Sequence, residues 1–327
     1  MIRDIRRCQP GHAQYTAWCD DRGFIVEDGV VLRLGPDEFL LTAAEPNLAY
    51  FEAFVGRLDV DIEDVSDAWG VLAIQGPHSR DILAALTPVV TDLAYFGVAA
   101  TKIAKVPVLV SRTGYTGDLG FEVWVPAADA VKVWDAIWAA SRGRGVIPFG
   151  LTALYMARIE AGLVLLDVDF QSSRFAWTDA DRTTPIELGL GWMVRDIEMD
   201  DREFIGRGAI RRELAGKTSR WKLSSLVVDW REYDRIYDEA GLIPPKDHTP
   251  IQDEYYIYDD DLNQLGYATS QMYSPMLQRH IALARVPLDR SAPGSRVKLE
   301  MAVSHRYEYV DAYVARTPLF DPERRTA

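Results

Sequence analysis

The chain of 327 residues carries 49 acidic and 36 basic side chains, which gives a formal net charge of −13. Nucleic-acid binding needs clustered Lys and Arg that follow phosphates, and the sequence contains no long basic run. No apolar stretch approaches the ~20 residues that cross a bilayer, and Met1–Arg7 lacks the apolar segment of a signal peptide. Cys8 and Cys19 suggest neither a metal cluster nor a disulfide framework. We therefore expect a cytoplasmic protein with no metal site and no nucleic-acid or membrane partner.

Strands and helices are intermixed in the first two thirds of the chain. Val30–Leu34 and Glu38–Thr42 are typical of two paired strands, because the composition of Gly35–Asp37 between them is that of a turn. Apolar residues at helical spacing predict several helices. These are Pro46–Gly56, one opened by Pro77, one from about Ala127 to Ala140, one from Gly150 to Ala161 and one around Glu203–Leu214. The pattern predicts an α+β fold.

The predicted helix from Ala127 to Ala140 carries a stripe of large apolar side chains. The stripe consists of Val131, Trp134, Ile137 and Trp138. Large aromatic residues at this spacing normally pack a helix onto a sheet. We therefore expect these side chains to belong to the core and not to a cofactor site.

From Leu223 onward, short β-rich runs are separated by Pro, Gly and Asp turns, which predicts a small all-β domain. Within it, Arg231–Pro250 is expected to be a long loop or an insertion. Asp259–Asp261 is expected to be the solvated tip of a hairpin, because metal-binding loops of hard cations need regularly spaced ligands and a distal Glu. The β-rich runs are Leu223–Val228, Tyr255–Tyr258, Tyr267–Thr269, His280–Val286, Arg296–Met301 and Tyr309–Val314.

A glycine-rich segment, Ser111–Glu122, lies between two apolar runs. It places Arg, Tyr, Asp and Glu among glycines, whose freedom to take positive φ lets a loop approach another group closely. Polar loop residues held between rigid strands are a common way to build a site. A hairpin in which the glycines only serve the turn explains the pattern equally well. The residues alone leave both interpretations open.

Arg112–Glu122 resembles the signature loop of the aminomethyltransferase family, whose founding member is the T-protein of the glycine cleavage system. It has the family pattern Arg-Thr-Gly-Tyr-Thr-Gly-x-x-Gly-Phe-Glu. Other segments resemble further family motifs, in the family's order and over nearly the whole chain. They are Ala73–Pro77, Arg158–Leu163, Thr184–Trp192, Gly266–Ser270, Ser274–Pro275 and Ile281–Ala284. The resemblance favours a binding loop over a simple turn.

The resemblance implies an α+β fold with ferredoxin-like folate-binding domains and a C-terminal β-barrel. It implies the remainder of a first folate-binding domain in residues 1–50, a central α+β folate-binding domain in 51–220 and a barrel domain in 221–327. Family members usually carry further residues before the segment that matches Gly11–Tyr15. We therefore expect the chain to begin inside the first domain.

The family transfers a one-carbon unit to or from tetrahydrofolate, and two acids of this chain match its functional acids. Glu122 matches the glutamate that accepts the paired N–H donors of the pterin. Asp28 matches the acid beside the folate nitrogens, where a carboxylate can shuttle a proton and stabilise developing positive charge. Without the resemblance, Glu122 would be interpreted as a solvent-facing strand residue and Asp28 as a turn acid.

Three further residues are expected from the resemblance to bind the cofactor. Tyr15 aligns with a tyrosine of the folate pocket, Tyr115 lies in the signature loop, and Val30 follows the catalytic aspartate by two residues on the same strand face. Aromatic and aliphatic walls suit flat rings such as the pterin. Arg158 and Glu160 are expected to tie their helix to its neighbours.

Two positions depart from the family pattern. Leu154 stands where the glycine-cleavage enzyme has a ligand-site arginine, and Ala44 stands where an asparagine is expected. Both departures fit a tetrahydrofolate-dependent O-, S- or N-demethylase better than an aminomethyl–lipoyl reaction. We expect a small-molecule methyl or aminomethyl donor, and docking of a lipoyl carrier protein is left open.

A folate-binding or assembly protein of the same fold, without transferase activity, is the alternative function, and an inactive fragment is another. The iron–sulfur-cluster helper branch of the fold carries a reactive cysteine in a Lys-Gly-Cys-Tyr-x-Gly-Gln-Glu loop. Neither Cys8 nor Cys19 lies in such a loop. The sequence therefore favours an enzyme.

Overall fold

The computed structural model describes residues 1–56, 58–199 and 201–327. The chain forms two antiparallel sheets with helices beside them and a closed barrel of six strands. The predicted α+β architecture with a C-terminal barrel is confirmed. No helix within these ranges is both long enough and apolar enough to cross a membrane.

The first sheet carries Asp28 on its central strand. In the order of the sheet, the strands are β1 (His12–Cys19), β2 (Ile25–Arg33) and β3 (Phe39–Leu41), and helix α1 (Leu48–Val55) follows. Gly29 is required in β2, because a Cβ atom there would lie 1.9 Å from the carbonyl oxygen of Thr42. The chain that leaves β3 therefore lies directly against the strand beside Asp28.

The second sheet is covered by two helices. Its strands are β4 (Trp69–Gln75), β5 (Val98–Ile103), β6 (Val106–Ser111) and β7 (Gly120–Pro126), and the helices are α2 (Ser79–Ala84) and α3 (Ala130–Ala140). The strand order is β4-β7-β6-β5. Alternate residues of β6 and β7, such as Val110 and Phe121, pack with Leu83 of α2 and Val133 of α3. The sheet thus holds the two ends of the signature loop on neighbouring strands.

The predicted core stripe of α3 is wrong for most of its residues. Val131, Trp134 and Trp138 are 74%, 45% and 41% exposed, whereas Val133 is fully buried. The helix packs through Ala130, Val133 and Ile137 instead. Helix and sheet approach closely at this point, since a Cβ atom on Gly70 would lie 3.2 Å from the Cβ of Ala130. Small residues fit this narrow gap and tryptophans do not.

Helices α4 (Leu151–Ala161) and α5 (Arg207–Gly216) lie between the sheets and the barrel in sequence. Ile159 of α4 and Ile210 of α5 pack in one buried cluster with Ile25 of β2. The same cluster contains Met272 and Ile281 from the barrel. A shared core therefore joins the first sheet to the barrel.

The barrel closes in the strand order β10-β11-β8-β13-β12-β9. All six predicted β-rich runs are confirmed, and some strands are longer than predicted. The strands are β8 (Trp221–Val228), β9 (Tyr255–Tyr258), β10 (Gln264–Ser274), β11 (Arg279–Pro287), β12 (Arg296–Val303) and β13 (Arg306–Ala315). Closure leaves no unpaired edge among these strands.

The prediction of a long loop at Arg231–Pro250 is wrong in its first part, which forms helix α6 (Trp230–Glu239). The side chain of Asp229 caps the helix by accepting hydrogen bonds from two backbone N–H groups of its first turn. Tyr233 and Ile236 then pack on the barrel core. The many charged residues of this segment lie on the opposite face, which hid the helical apolar spacing.

A buried ion pair fastens α4 to the barrel. Nη1 of Arg158 lies 2.7 Å from Oδ2 of Asp169, and both side chains are fully buried. Asp169 also accepts hydrogen bonds from the backbone N–H of Leu165 at 2.8 Å and from the hydroxyl of Thr269. Arg158 donates to the hydroxyl of Ser270 at 2.6 Å. Since Thr269 and Ser270 belong to β10, the pair is shared between the helix and the barrel.

Glu160 makes a second connection from α4 to the barrel. Its carboxylate accepts a hydrogen bond from the hydroxyl of Ser274 at 2.5 Å. Burial raises the pKa of Glu160, and the bond from Ser274 opposes this increase. Both polar residues of this helix motif therefore contact neighbouring elements, as the sequence predicts.

The buried pair makes Arg158 a sensitive position for stability. We expect Arg158→Met to lower the free energy of unfolding by about 3–5 kcal/mol, because it leaves the Asp169 carboxylate buried without its cation. Urea denaturation measures the loss. Arg211→Met is the control, since its ion pair with Glu198 lies on the surface and should matter little.

A second variant keeps this prediction testable if Arg158→Met does not fold. Arg158→Met combined with Asp169→Leu removes both charges and should recover part of the lost stability. Equal losses for Arg158→Met and the surface control would contradict the account.

Candidate active site

Tyr15 and Asp28 form a hydrogen bond across the first sheet. Tyr15 lies opposite Val30 and Ala17 lies opposite Asp28, so Tyr15 and Asp28 are diagonal neighbours on one face of the sheet. The phenol of Tyr15 donates to Oδ2 of Asp28 at 2.7 Å. Both side chains are half-buried. The pair therefore lies within the protein and keeps surface that a ligand can reach.

Burial raises the pKa of Asp28 to about 7, because desolvation penalises the charged carboxylate. The hydrogen bond from Tyr15 acts in the opposite direction, and the negative charges of Glu27 and Asp169 raise the pKa further. A carboxyl group that titrates near neutrality can both release and accept a proton at pH 7.

Tyr115 reaches the same region from the middle of the signature loop. Its phenol donates a hydrogen bond to the carbonyl oxygen of Val164, just after α4. Burial raises the pKa of Tyr115, and the negative charge of Asp28 adds to the increase. Tyr115 in turn raises the pKa of Tyr15. The structure thus brings Tyr15, Asp28 and Tyr115 together.

Glu122 lies on β7, at the end of the signature loop, and is held by hydroxyl groups. Its carboxylate accepts a hydrogen bond from the hydroxyl of Thr113, which in turn lies against the hydroxyl of Ser111. The two hydroxyl oxygens are 2.6 Å apart, and that of Ser111 accepts from the indole N–H of Trp124 at 3.2 Å. Burial raises the pKa of Glu122, and the hydroxyl groups only oppose this increase. The carboxylate is therefore fixed in position and only partly compensated.

Val30 lies in the apolar packing between the two acids. Its backbone N–H donates to the hydroxyl of Thr42 at 3.0 Å. Its side chain packs against a cluster that contains Ala13 and Trp124. Trp124 is also the residue that holds Ser111 beside Glu122. Packing through Val30 thus connects the strand of Asp28 to the strand of Glu122.

The functional roles of these five residues stay predictions. The structure joins Tyr15 and Asp28 by a hydrogen bond and places Tyr115 near enough for the three groups to affect one another's pKa, whereas Glu122 lies in a separate hydroxyl network at the end of the same loop. All five side chains are half-buried. This is the exposure expected for residues that line a binding site.

Glu27 has a structural role that the sequence analysis missed. Its carboxylate accepts hydrogen bonds from the backbone N–H of Ala44 at 2.9 Å, from that of Glu45 at 3.2 Å and from the side-chain amide of Asn47 at 2.8 Å. It therefore organises the segment that follows β3, next to Asp28. The sequence signal that could have indicated this role is the position of Glu27 directly after the apolar residues Ile25 and Val26 and directly before Asp28.

Other features of the described surface lie away from this group. A cavity of about 210 Å³ is lined by Arg3, Gln14 and Trp192, and a neighbouring one of about 460 Å³ is lined by Arg6 and Phe204. Neither is lined by the five candidate residues. Across the described ranges, no three His, Cys, Asp or Glu side chains are grouped so that they could hold a metal ion.

The chain belongs to the glycine cleavage T-protein family, the aminomethyltransferases. Residues 1–196 match the GCVT N-terminal domain, and residues 240–321 match the glycine cleavage T-protein C-terminal barrel domain. The family predicted from the sequence motifs is confirmed.

Relatives in this family carry several names. The chain is 33% identical to an aminomethyltransferase of Streptomyces coelicolor, over 95% of this chain and 78% of that protein. It is 30% identical to a heme-dependent oxidative N-demethylase gamma subunit of Ectopseudomonas mendocina, over 99% of this chain and 78% of that protein. A trimethylamine-oxide aldolase of Ruegeria pomeroyi is 32% identical over 99% of this chain, but the chain spans only 39% of that relative's length.

A solved structure has the same fold. The glycine cleavage system aminomethyltransferase T from Bartonella henselae superposes with a TM-score of 0.77, over 98% of this chain and 79% of that one. The two sequences are 23% identical. The likeness supports the arrangement of sheets and barrel.

The raised pKa of Asp28 makes stability depend on pH. Between about pH 4 and pH 7 the folded protein holds a proton on Asp28 that the unfolded chain has released, so stability falls as pH rises through this window. We expect Asp28→Asn to become more stable, relative to the unchanged protein, from pH 5 to pH 8. Urea denaturation at each pH measures the difference.

Glu122 also has a raised pKa, but both proteins contain it, so its contribution to the difference cancels. Glu27 is coupled to Asp28, so the measured difference includes the smaller change that Asp28→Asn makes in the pKa of Glu27. A stability difference that is the same at every pH would show that Asp28 titrates normally.

Proposed function

We propose that the protein is a tetrahydrofolate-dependent one-carbon group transferase or demethylase, with Asp28 at the transfer centre and Glu122 holding the pterin. Family membership supports the class of reaction. The observation that carries the proposal is the hydrogen bond from Tyr15 to the half-buried Asp28 carboxyl group, whose pKa is raised by burial to about 7. Proton transfer at a folate nitrogen under neutral conditions calls for such a group.

Glu122 fits a ligand that presents a pair of N–H donors. Its carboxylate is desolvated, yet the hydrogen bond that holds it comes from the neutral hydroxyl of Thr113. A reduced pterin offers a ring N–H and an exocyclic amino group, which can bind a carboxylate in bidentate fashion. Such binding would compensate the buried charge and lower the pKa of Glu122.

Asp28 is suited to handle the proton of the transfer. Bound tetrahydrofolate would supply the nitrogen nucleophile: its bond to the one-carbon unit would form as the C–N bond of the donor breaks, and the donor would leave as an amine that takes up a proton. Oδ2 of Asp28 already accepts the hydrogen bond from Tyr15, so we assign proton exchange to Oδ1. The ionised carboxylate can also stabilise positive charge that develops at the transfer centre. Tyr15 keeps the carboxyl group in one orientation throughout.

Tyr15, Tyr115 and Val30 supply the walls of the proposed site. Each is half-buried, as a residue in contact with a bound ring system should be. Tyr115 is fixed by its hydrogen bond to Val164, and Tyr15 by its bond to Asp28. Their rings can therefore contact a flat ligand with little further loss of side-chain entropy.

We propose a small-molecule donor whose one-carbon unit is attached to nitrogen. The names of the relatives support this choice, because aminomethyl transfer, N-demethylation and cleavage of trimethylamine oxide all concern carbon bound to nitrogen. A lipoyl-bound donor is disfavoured, since Leu154 stands in place of a ligand-site arginine. At the other divergent position, Ala44 has no side-chain amide, and its backbone N–H donates a hydrogen bond to Glu27. This N–H therefore does not replace the amide of the expected asparagine.

Glu122 is the first position to test for folate binding. We expect calorimetric titration with tetrahydrofolate to show binding that weakens on the order of 100-fold in Glu122→Gln, because the amide can no longer accept both donors. Glu52→Gln, on the exposed face of α1, is the matched control. Equal affinity for Glu122→Gln and the control would remove Glu122 from the site.

Asp28 is the position that separates catalysis from binding. We expect Asp28→Asn to bind tetrahydrofolate about as well as the unchanged protein but to lower turnover on the order of 100-fold or more. Turnover is measured as the appearance of the one-carbon unit on folate by mass spectrometry, with N-methylated amines as donors. Unchanged turnover would sink the assigned role, and binding without turnover in the unchanged protein would support the alternative of a non-catalytic folate-binding protein.

A further inference from the structure

The last residues of the chain return to the signature loop. Residues 319–327, called the strap below, follow the barrel strand β13. The strap begins against α4, where the backbone N–H groups of Leu319 and Phe320 donate to the carbonyl oxygen of Glu160 at 3.1 and 2.9 Å. From this anchor it extends to both ends of the loop that carries Tyr115.

The beginning of the signature loop is tied to the strap by Arg112. This side chain is 4% exposed. Its Nη2 donates to the carbonyl oxygens of Arg324 at 3.4 Å, Arg325 at 3.1 Å and Ala327. Its Nη1 donates to the carbonyl oxygen of Leu93 at 3.3 Å. Arg112 thus uses a buried charge to hold backbone of the strap.

The far side of the loop is tied to the strap by Asp118. Nε and Nη2 of Arg324 lie 2.6 and 2.7 Å from the two carboxylate oxygens of Asp118. Asp118 raises the pKa of Arg324. The paired geometry fixes direction as well as distance, which a single charge contact does not. The two residues are far apart in sequence, so the strap closes a long-range contact.

The loop has little room between α4 and the strap. Gly117 has a φ of +70°, and a Cβ atom there would lie 2.5 Å from the Cβ of Ala161 and 3.7 Å from the carbonyl oxygen of Phe320. At Gly117 the loop therefore packs directly against α4, and the strap lies next to it on another side. Tyr115 lies between Arg112 and Asp118, the two residues that the strap holds.

We propose that the strap positions the signature loop for ligand binding, with Arg112, Asp118 and Arg324 as positioning residues for Tyr115 and Glu122. The inference rests on the proposed function for its ligand, tetrahydrofolate. Glu122 follows Asp118 closely on the strand that the loop enters, so a shift of the loop end moves its carboxylate. Small displacements of groups that orient a ligand are costly to binding and catalysis.

The strap contributes order to the loop more than stability to the fold. The Arg324 side chain is 42% exposed, and ion pairs at such positions add little to the free energy of unfolding. Besides Arg324, the Asp118 carboxylate accepts the backbone N–H of Leu119 at 2.6 Å, a bond within the loop that does not tie it to the strap. Loss of the pair should therefore change loop exchange and folate affinity while the melting temperature stays the same.

Arg324→Met tests the proposal in the chain of 327 residues, with Arg325→Met as the matched control. Arg325 lies in the same strap, but its side chain pairs with Asp321 and not with the loop. We expect Arg324→Met to lose hydrogen-exchange protection in residues 112–120, to bind tetrahydrofolate on the order of tenfold more weakly and to melt at an unchanged temperature. Arg325→Met should change none of the three.

A double-mutant cycle separates the specific pair from general disturbance. If Asp118 acts through Arg324, then Asp118→Asn combined with Arg324→Met should weaken binding no more than either single change. Additive losses, or a loop whose exchange is unchanged in Arg324→Met, would overturn the proposal. If the unchanged protein does not bind tetrahydrofolate in the calorimetric titration, the proposed function is contradicted. The hydrogen-exchange measurement needs no folate, so it still tests whether the strap orders the loop.

Discussion

The buried ion pair between Arg158 and Asp169 is the interaction on which the arrangement of the site depends. It joins α4 to the barrel, and Asp169 also accepts the backbone N–H of Leu165. The residue before Leu165, Val164, accepts the hydrogen bond of Tyr115. The charges of this ion pair also affect the candidate site. Asp169 raises the pKa of Asp28, and Arg158 lowers the pKa of Tyr115. A single buried pair thus fixes the backbone that holds Tyr115 and adds to the effect of burial, which raises the pKa of Asp28.

The two candidate acids share one physical property. Desolvation is the largest cause of the raised pKa in both Asp28 and Glu122, and neutral hydroxyl groups are the main opposing influence. A protein that only needed rigidity would gain by pairing such carboxylates with cations, as it does for Asp169. In Asp28 and Glu122, hydrogen bonds from hydroxyl groups offset only part of the cost of burying the carboxylate. Such carboxylates suit a site in which a ligand supplies N–H donors and protons.

Much of this architecture could be predicted from the sequence, because its signals are local. Alternating apolar runs and turn residues gave the six barrel strands, and the glycine-rich pattern of Arg112–Glu122 gave the loop. The core face of α3 could not be predicted, since two apolar stripes compete on that helix. Only the close approach of Ala130 to Gly70 decides between them. Helix α6 was not predicted because its many charged residues obscure the helical spacing of the apolar ones.

Contacts between distant parts of the chain explain what else the sequence left out. The pairing of Arg158 with Asp169, and of both with β10, depends on where the barrel closes against α4. The strap is similar, since nothing near Arg324 in sequence indicates that it meets Asp118. Motifs marked the residues of the candidate site, but their supporting partners lie in other elements.

A crystal structure of the protein with bound tetrahydrofolate would test the central claim most directly. We expect the pterin donors to bind the carboxylate of Glu122, the folate nitrogens to lie within hydrogen-bond reach of Asp28, and Tyr15 and Tyr115 to contact the ligand. A folate bound elsewhere, such as in the cavity beside Trp192, or a pterin turned away from Glu122, would contradict it.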